Sequence, residues 1–210
     1  MDYKKITTPA GKAFYAHLYK PAVFEGEEKD FEVNLVFDDK YTEKLKAMIA
    51  AEFEKAKEAP EFKGKKWKKP FFGYSEKDED DETYAGATVF KFKMKPIGKN
   101  SKTGETFKRK VAVFDAKGKP IVGELPIGNK TIMKVCATIC PYHKGAQAHG
   151  IGLYMEAVQI IELVEYTGTS QDASGFGFKE EEGFDSDDVP FYDGAENGSD
   201  DDDSDDDADF

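Results

Sequence analysis

Lysine and aromatic residues are closely interleaved in two stretches of this sequence. Residues 60–74 read PEFKGKKWKKPFFGY, and residues 88–95 read TVFKFKMK. Cationic side chains can follow the phosphates of a nucleic acid, and flat rings can stack on its unpaired bases. Because every base has a face that can stack, this pairing is typical of sequence-independent binding to single strands. The competing interpretation is a solvated lysine face whose rings lie in the core.

These stretches and the strand that follows them supply the candidate nucleic-acid-binding residues. Lys91, Lys93 and Lys95 share one face of a predicted strand, and we expect the neighbouring strand to extend that basic face. Phosphate contacts made by such lysines weaken as the salt concentration rises. The candidates are Lys65, Lys66, Trp67, Lys68, Lys69, Phe72, Lys91, Lys93, Lys95, Lys108, Arg109 and Lys110.

Two cysteines and two histidines between residues 136 and 149 have the ligand-like spacing C-x3-C-x2-H-x5-H. Structural zinc sites usually take their first cysteine pair from a tight turn, whereas Cys136 and Cys140 fall on one predicted strand. Strand residues four apart are separated by about 13 Å, beyond disulfide reach, so both thiols are expected to be reduced. The acidic residues 76–82 lack the glycine and ligand spacing of a calcium loop. We assign no metal and no cofactor.

The sequence contains none of the common catalytic motifs. A P-loop, GxSxG, HExxH and a dinucleotide fingerprint are all missing, and the three histidines form no pair of base and nucleophile. A nuclease on a similar fold would need a divalent metal, for which no residue group is evident. The expected class is therefore a binding protein rather than an enzyme.

Hydrophobic residues alternate with polar ones along most of the first 167 residues, which predicts β-strands. The last of these segments is long enough to need a bulge near Ala157 and Val158, where its alternation slips. The predicted strands lie within residues 11–21, 30–37, 87–96, 106–115, 131–142 and 151–166.

One segment has helical periodicity. Leu45, Ile49 and Phe53 recur at four-residue steps, which predicts an amphipathic helix over about 41–59, capped at Asp39 or Thr42 and ending before a proline. Residues 60–83 have no sustained period and predict a long loop. Six or seven strands with a single helix favour a mainly β fold, a small helix-capped antiparallel barrel, over alternating strands and helices.

The charge is divided unequally along the chain. Residues 168–210 hold 17 Asp or Glu and one Lys, whereas residues 1–167 hold 29 Lys or Arg and 25 Asp or Glu. The acidic segment is poor in aliphatic residues and predicts disorder. We therefore expect two parts, a folded domain at 1–167 and a disordered acidic tail at 168–210 that ends in Phe210. The absence of a signal peptide or an apolar span predicts a soluble protein without a membrane segment.

Several features, in their order along the chain, resemble one known group. They are an N-terminal strand pair, a helix, a basic loop, FKFKMKP, VAVFDAKGKP, a Pro141-Tyr142 pair ahead of a glycine-containing loop, and an acidic tail that ends in Asp209-Phe210. No single motif is specific to this group, but the order of the motifs along the chain is. It resembles the single-stranded DNA-binding replication proteins of lytic phages of the T7 type.

This resemblance implies an OB-fold that binds single-stranded DNA with little sequence preference. Tyr142 matches the family's proline-tyrosine pair and is implied to stack on bases. The family pattern has tryptophan where this chain has Lys144, so Lys144 becomes a candidate cation and Trp67 the candidate replacement ring. The resemblance also implies that the tail competes for the DNA groove and docks the phage polymerase and helicase-primase through Asp207, Asp209 and Phe210.

Other interpretations stay open at the level of sequence. An acidic-tailed chaperone or nucleic-acid mimic would bind basic proteins through its tail rather than DNA. Stacking and phosphate contacts do not separate DNA from RNA unless the 2′-hydroxyl is read. The tail could lie across a partner subunit as well as across its own groove, which is compatible with a homodimer. The expected location is the cytoplasm of an infected bacterial host.

Overall fold

The computed structural model describes residues 3–100, 102–145 and 148–166. These residues form one α-helix, α1 (Asp39–Glu58), one 3-10 turn (Pro60–Phe62) and twelve strands. The strands are β1 (Lys4–Thr7), β2 (Gly11–His17), β3 (Val23–Phe24), β4 (Glu27–Glu28), β5 (Phe31–Val36), β6 (Tyr74–Glu76), β7 (Thr88–Met94), β8 (Ile97–Lys99), β9 (Thr106–Lys108), β10 (Ala112–Phe114), β11 (Ile132–His143) and β12 (His149–Glu162).

Five of the strands close a barrel. They follow one another as β2, β5, β7, β12 and β11, and β11 pairs with β2 to complete the ring. The contact between β7 and β12 is parallel, and the other four contacts are antiparallel. Outside the ring, β1 pairs with β11, β6 with β7 and β10 with β12. The predicted mainly β barrel with one helix is confirmed.

The barrel core is built from the alternation of the strands. β5 buries Phe31, Val33 and Leu35, and β7 buries Phe90 and Phe92, with both phenylalanines of β7 fully inside. Full burial of side chains of this size contributes about 1.5–3 kcal/mol each. Because side chains alternate along a strand, this register fixes the intervening polar residues of β5 and β7 on the outer face.

Helix α1 begins at the residue after Asp38, whose carboxylate accepts a hydrogen bond of 2.8 Å from the backbone N–H of Tyr41. This corrects the predicted cap at Asp39 or Thr42. A side-chain oxygen at this position satisfies one of the free N–H groups of the first turn. The helix buries Leu45, Ile49 and Phe53 against the core and ends before Pro60, as predicted.

The strand count and one pairing differ from the sequence-based expectation. Twelve strands form instead of six or seven, because short pairs such as β3 with β4 and β8 with β9 are too brief to show a period. The parallel contact of β12 with β7 is a long-range pairing that alternation does not reveal. The predicted bulge in β12 is confirmed, since its register with β11 shifts where Cys136 pairs with Ala157 and Ala137 pairs with Met155.

The predicted loop over residues 60–83 contains the 3-10 turn and β6, and between them its backbone bridges to β12. Phe71 bridges to Gly150 in parallel. The Phe71 N–H donates to the His149 carbonyl at 3.1 Å, and the Ile151 N–H donates to the Phe71 carbonyl at 2.7 Å. At Gly150, with φ +143°, a Cβ atom would lie 1.9 Å from the Phe71 carbonyl oxygen, so only glycine fits there.

The predicted acidic tail, residues 168–210, lies outside the described residues. In the part of the chain that the structure does describe, no helix is long and apolar enough to cross a membrane.

We expect the substitution Gly150→Ala to reduce the free energy of unfolding by about 2–4 kcal/mol, because it adds a backbone clash to an unfavourable φ. The matched control is Gly118→Ala, where φ is +77° and no atom lies within 4 Å of the added Cβ. That control carries only the backbone strain, about 1 kcal/mol. Urea unfolding of both variants measures the difference, and equal losses would show that the Phe71 contact is not restrictive.

Candidate nucleic-acid interface

The outer face of the barrel carries a cleft of ≈ 300 Å³ beside β7 and β12. It combines cations with aromatic rings, as the sequence analysis predicted for two stretches far apart along the chain. The lining residues are Asp30, Phe71, Lys91, Lys93, Lys95, Tyr142, Lys144, Gly152, Leu153 and Tyr154.

The alternation of β7 and its parallel pairing with β12 form this cleft. Phe90, Phe92 and Met94 point into the core, which leaves Lys91 and Lys93 on the outer face. In the register between the strands, Tyr154 lies across from Lys93. The pairing therefore sets a ring beside a cation in the lining of the cleft.

Two carboxylates partly neutralise these lysines. The Lys91 Nζ lies 3.0 Å from a carboxylate oxygen of Glu32 on β5, and the Lys93 Nζ lies 3.4 Å from the other oxygen of Glu32 and 3.8 Å from Asp30. Lys95 and Lys144 are exposed, and within the described ranges neither has a carboxylate at ion-pair distance. The cleft thus contains two compensated lysines and two uncompensated ones.

The two tyrosines of the cleft stay neutral at physiological pH. Burial raises the pKa of the Tyr142 hydroxyl above its ordinary value. Burial is also the main cause of the raised pKa of Tyr154, with further increases from Asp30 and Cys140 and an opposing effect of Arg109. Neutral hydroxyls do not repel phosphates, and their rings are suited to stacking.

Trp67 and Phe72 pack against the core instead of lining the cleft, which corrects their predicted placement on a stacking surface. The Trp67 ring meets Phe53 edge-on with ring centroids 5.0 Å apart, and Phe72 meets Phe53 at 5.1 Å. Phe71, which was not among the predicted binding residues, is 45% exposed and lines the cleft in their place.

Two histidines hold the basic loop beside the end of β11. The His143 Nε2 lies 3.1 Å from the Lys66 carbonyl oxygen, and the His149 Nε2 lies 2.9 Å from that of Lys68. The two imidazole rings are stacked with centroids 5.0 Å apart. The loop lysines are all exposed on this held backbone, and they are Lys65, Lys66, Lys68 and Lys69.

The predicted extension of the basic face by a neighbouring strand is wrong. β9, which ends at Lys108, pairs with β8 in a separate two-stranded sheet and not with β7. Lys108, Arg109 and Lys110 therefore belong to a projecting hairpin. Arg109 lines an adjoining cavity together with Tyr154, which also lines the cleft.

No metal site appears in the described parts of the chain, where no three His, Cys, Asp or Glu side chains are grouped as ligands. Cys136 and Cys140 are free thiols on β11, as predicted. Burial, with a smaller contribution from Glu156, raises the pKa of the Cys140 thiol to about 11. This thiol stays protonated near neutral pH, which makes it a weak ligand and a weak nucleophile.

Sequence reasoning missed three contributors to the cleft. Tyr154 alternates with buried Leu153 and Met155, so its outward direction could have been read from the sequence, but its parallel pairing with Lys93 could not. Phe71 could not be separated from Phe72 without the Gly150 contact. The acidic groups that pair with Lys91 and Lys93 depend on the register of β5 against β7.

Comparison with known sequences supports the resemblance noted above. The family model of the single-stranded DNA-binding protein of bacteriophage T7 matches residues 15–163. A single-stranded DNA-binding protein of Escherichia phage T7 is 32% identical over 111 residues, which cover 52% of this chain and 47% of that protein. The corresponding protein of Enterobacteria phage T3 is 34% identical over 88 residues, 41% of this chain and 38% of that protein. The chain thus matches less than half the length of each relative.

Solved structures show the same fold. The crystal structure of gp2.5, a single-stranded DNA binding protein encoded by bacteriophage T7, has a TM-score of 0.62 and 26% identity, covering 87% of this chain and 98% of that chain. The single-stranded DNA-binding protein from bacteriophage Enc34 in complex with ssDNA has a TM-score of 0.55 and 16% identity, covering 78% and 89%. The barrel is therefore an OB-fold. The chain belongs to the T7 family of phage single-stranded DNA-binding proteins, which is a family of binding proteins and not of enzymes.

Proposed function

We propose that this protein binds single-stranded DNA, with little dependence on sequence, in the cleft beside β7 and β12. The observation that carries this proposal is the meeting of lysines 91, 93 and 95 with the rings of Phe71, Tyr142 and Tyr154 in one cleft. Cations can track the backbone there while bases stack on the rings, each stacked base contributing about 1–3 kcal/mol. Membership of the family supports the same function.

Binding in this cleft should depend strongly on salt. Each lysine that neutralises a phosphate releases counterions and adds about 0.7 to the slope of log K against log salt for a single strand. Lys95 and Lys144 have no carboxylate partner in the described residues and can contact phosphates without first losing an ion pair. Lys91 and Lys93 become available only when phosphates replace Glu32 and Asp30 as their partners.

We expect the double substitution Lys95→Gln and Lys144→Gln to weaken DNA binding and to reduce the salt slope by about 1.4, because two uncompensated phosphate contacts are lost. The measurement is fluorescence anisotropy of labelled oligo-dT of about 20 nucleotides at several salt concentrations. Lys40→Gln with Lys44→Gln, on exposed positions of α1, is the matched control. An unchanged slope in the cleft variant would place the binding site elsewhere.

We expect Glu32→Gln to tighten binding of the same oligomer about threefold to tenfold at low salt and to steepen the salt slope by about 0.7 per lysine released. The reason is that one carboxylate holds both Lys91 and Lys93. Glu58→Gln, at the exposed end of α1, is the control. Weaker binding by Glu32→Gln would mean that this carboxylate orients the two lysines for DNA and does not compete with it.

We further propose that the chain has two functional parts, a DNA-binding domain at 1–167 and a disordered acidic tail at 168–210. The tail competes with DNA for the cleft, and DNA that displaces it frees Asp207, Asp209 and Phe210 to dock the replicative polymerase and the helicase-primase. The charge division supports this proposal. A flexible chain of that length has a root-mean-square reach of about 35–40 Å, which is comparable to the width of a small domain.

We expect a chain ended at residue 167 to bind oligo-dT more tightly than the full chain, with a difference that narrows as salt rises, because salt screens the attraction between tail and cleft. Parallel anisotropy titrations of both proteins at two salt concentrations measure this difference. Equal affinity of the two proteins at low salt would contradict competition by the tail.

A second candidate function rests on the same acidic segment. In an acidic-tailed chaperone or nucleic-acid mimic, the tail binds basic proteins and the cleft is idle. In that case neither the double lysine substitution nor Glu32→Gln changes binding, and the full chain captures a basic protein that the shortened chain does not.

A parallel titration with oligo-U tests whether the cleft prefers DNA or RNA.

We propose that the protein acts in the cytoplasm of an infected bacterial host, where phage DNA is replicated. We also propose a homodimer in which each acidic tail lies across the partner subunit. Light scattering of the full chain and of the shortened chain measures the oligomeric state.

A further inference from the structure

A basic arm connects β7 to β10 and pairs with neither of them in the described structure. We define it by residues 95–100 and 102–110, which contain β8 and β9. β8 and β9 pair with each other, Ile97 opposite Lys108 and Lys99 opposite Thr106. The N–H of Arg109 donates to the Pro96 carbonyl at 2.7 Å and closes the base of the arm. The arm has about six residues in each of its two strands and their ends. At the rise per residue of a β-strand, six residues span about 20 Å.

The arm is strongly cationic. Residues 95–110 contain six Lys or Arg and one acidic residue, Glu105. The Glu105 carboxylate accepts a hydrogen bond of 3.0 Å from the Thr103 hydroxyl and pairs with no cation in the described structure. Unlike Lys91 and Lys93 in the cleft, the arm cations have no carboxylate at ion-pair distance within the described residues. Their full charge is available to an anionic ligand.

The arm also supports an exposed ring. Phe107 is 51% exposed and lies against the backbone of Gly98, where a Cβ atom would be 2.5 Å from the ring. The Arg109 guanidinium lies 5.7 Å from the centroid of the same ring. An exposed ring beside a cation is a combination that unpaired bases and their phosphates can contact.

The arm and the cleft form adjoining surfaces. Tyr154 lines the cleft and also the neighbouring cavity of ≈ 490 Å³ that Arg109 lines. On the other side, Lys95 lines both the cleft and a cavity of ≈ 520 Å³ next to Ile97. The cavity on the Arg109 side contains one carboxylate, Glu156, which is paired with Lys5, whereas the cavity on the Lys95 side is also lined by Glu27, Glu28 and Asp30. A DNA strand that leaves the cleft past Tyr154 therefore meets the base of the arm with less opposing charge than one that leaves past Lys95.

We propose that the basic arm is a second contact region for single-stranded DNA, which engages the part of a strand that extends beyond the cleft. The proposal rests on the function proposed for the cleft. It assigns separate tasks to the two regions: the cleft holds the first bases, and the arm adds phosphate contacts and a stacking ring only when the strand is long enough to reach it.

Length dependence distinguishes the arm from the cleft. The test compares two labelled oligo-dT lengths. An oligomer of about 6 nucleotides lies near the lower end of the site size of one OB-fold, and one of about 20 nucleotides exceeds that site size. The full chain is used throughout. The arm variant replaces three exposed lysines by glutamine, and the control variant replaces three exposed lysines outside both regions. The arm set is Lys99, Lys102 and Lys108, and the control set is Lys40, Lys44 and Lys117.

For the short oligomer we expect the arm variant to bind within twofold of the unsubstituted chain. For the long oligomer we expect it to bind at least about tenfold more weakly at low salt, with a salt slope lower by about 2, since three contacts at about 0.7 each are lost. Phe107→Leu, which keeps the net charge and an apolar side chain but removes the ring, should weaken binding of the long oligomer alone, by about fivefold or more.

Three outcomes overturn the proposal. Equal loss with both lengths would make the arm part of the cleft, and equal affinity of arm and control variants for the long oligomer would show that the arm does not touch DNA. Tighter binding by the arm variant would show that the arm holds the acidic C-terminal segment instead. If the unsubstituted chain binds neither oligomer, the failure lies with the function proposed for the cleft and not with the arm.

Discussion

The parallel contact between β7 and β12 is the constraint on which the rest of the molecule depends. It closes the barrel, since β12 is otherwise joined to the ring only through β11. It also fixes which residues of both strands point inward and which point outward. Leu153 lies opposite Phe92 inside the barrel, and Tyr154 lies opposite Lys93 outside it. Because the side-chain period of a strand is two, a slip by one residue would bury the lysines and expose the phenylalanines. Core packing and surface chemistry are therefore fixed by the same hydrogen bonds.

The carboxylates beside the lysines show how such a surface is kept folded without its ligand. Two lysines at adjacent outward positions of β7 repel each other, and Glu32 on the neighbouring strand lies between them and offsets that repulsion. Its side chain is mostly covered, so its charge is less screened than that of a surface residue. The resting protein thus contains an internal substitute for a phosphate, whereas the cations of the arm have no such partner among the described residues.

Much of this architecture could be predicted from sequence, because it depends on local periodicity. The alternation of β5 and β7, the period of α1 and the slip near Ala157 each appear within one segment. What could not be predicted depends on partners far along the chain. Lys108 reads as a neighbour of the β7 lysines but lies on a separate hairpin, and Phe71 and Phe72 have the same chemistry until Gly150 determines which ring faces outward. The cap of α1 is Asp38 and not the predicted Asp39 or Thr42, because all three side chains carry a suitable oxygen within five positions and periodicity does not choose among them.

The separation of the arm from the barrel ladder has an evolutionary consequence. A residue inserted into or deleted from one of the barrel strands shifts every side chain beyond it to the opposite face, so such changes are removed by selection. The arm shares no strand pairing with the barrel in the described structure and is closed by its own bond between Arg109 and Pro96. Its length can therefore change without altering the strand pairing of the barrel. Relatives can accordingly diversify in this element while the barrel beneath it stays the same.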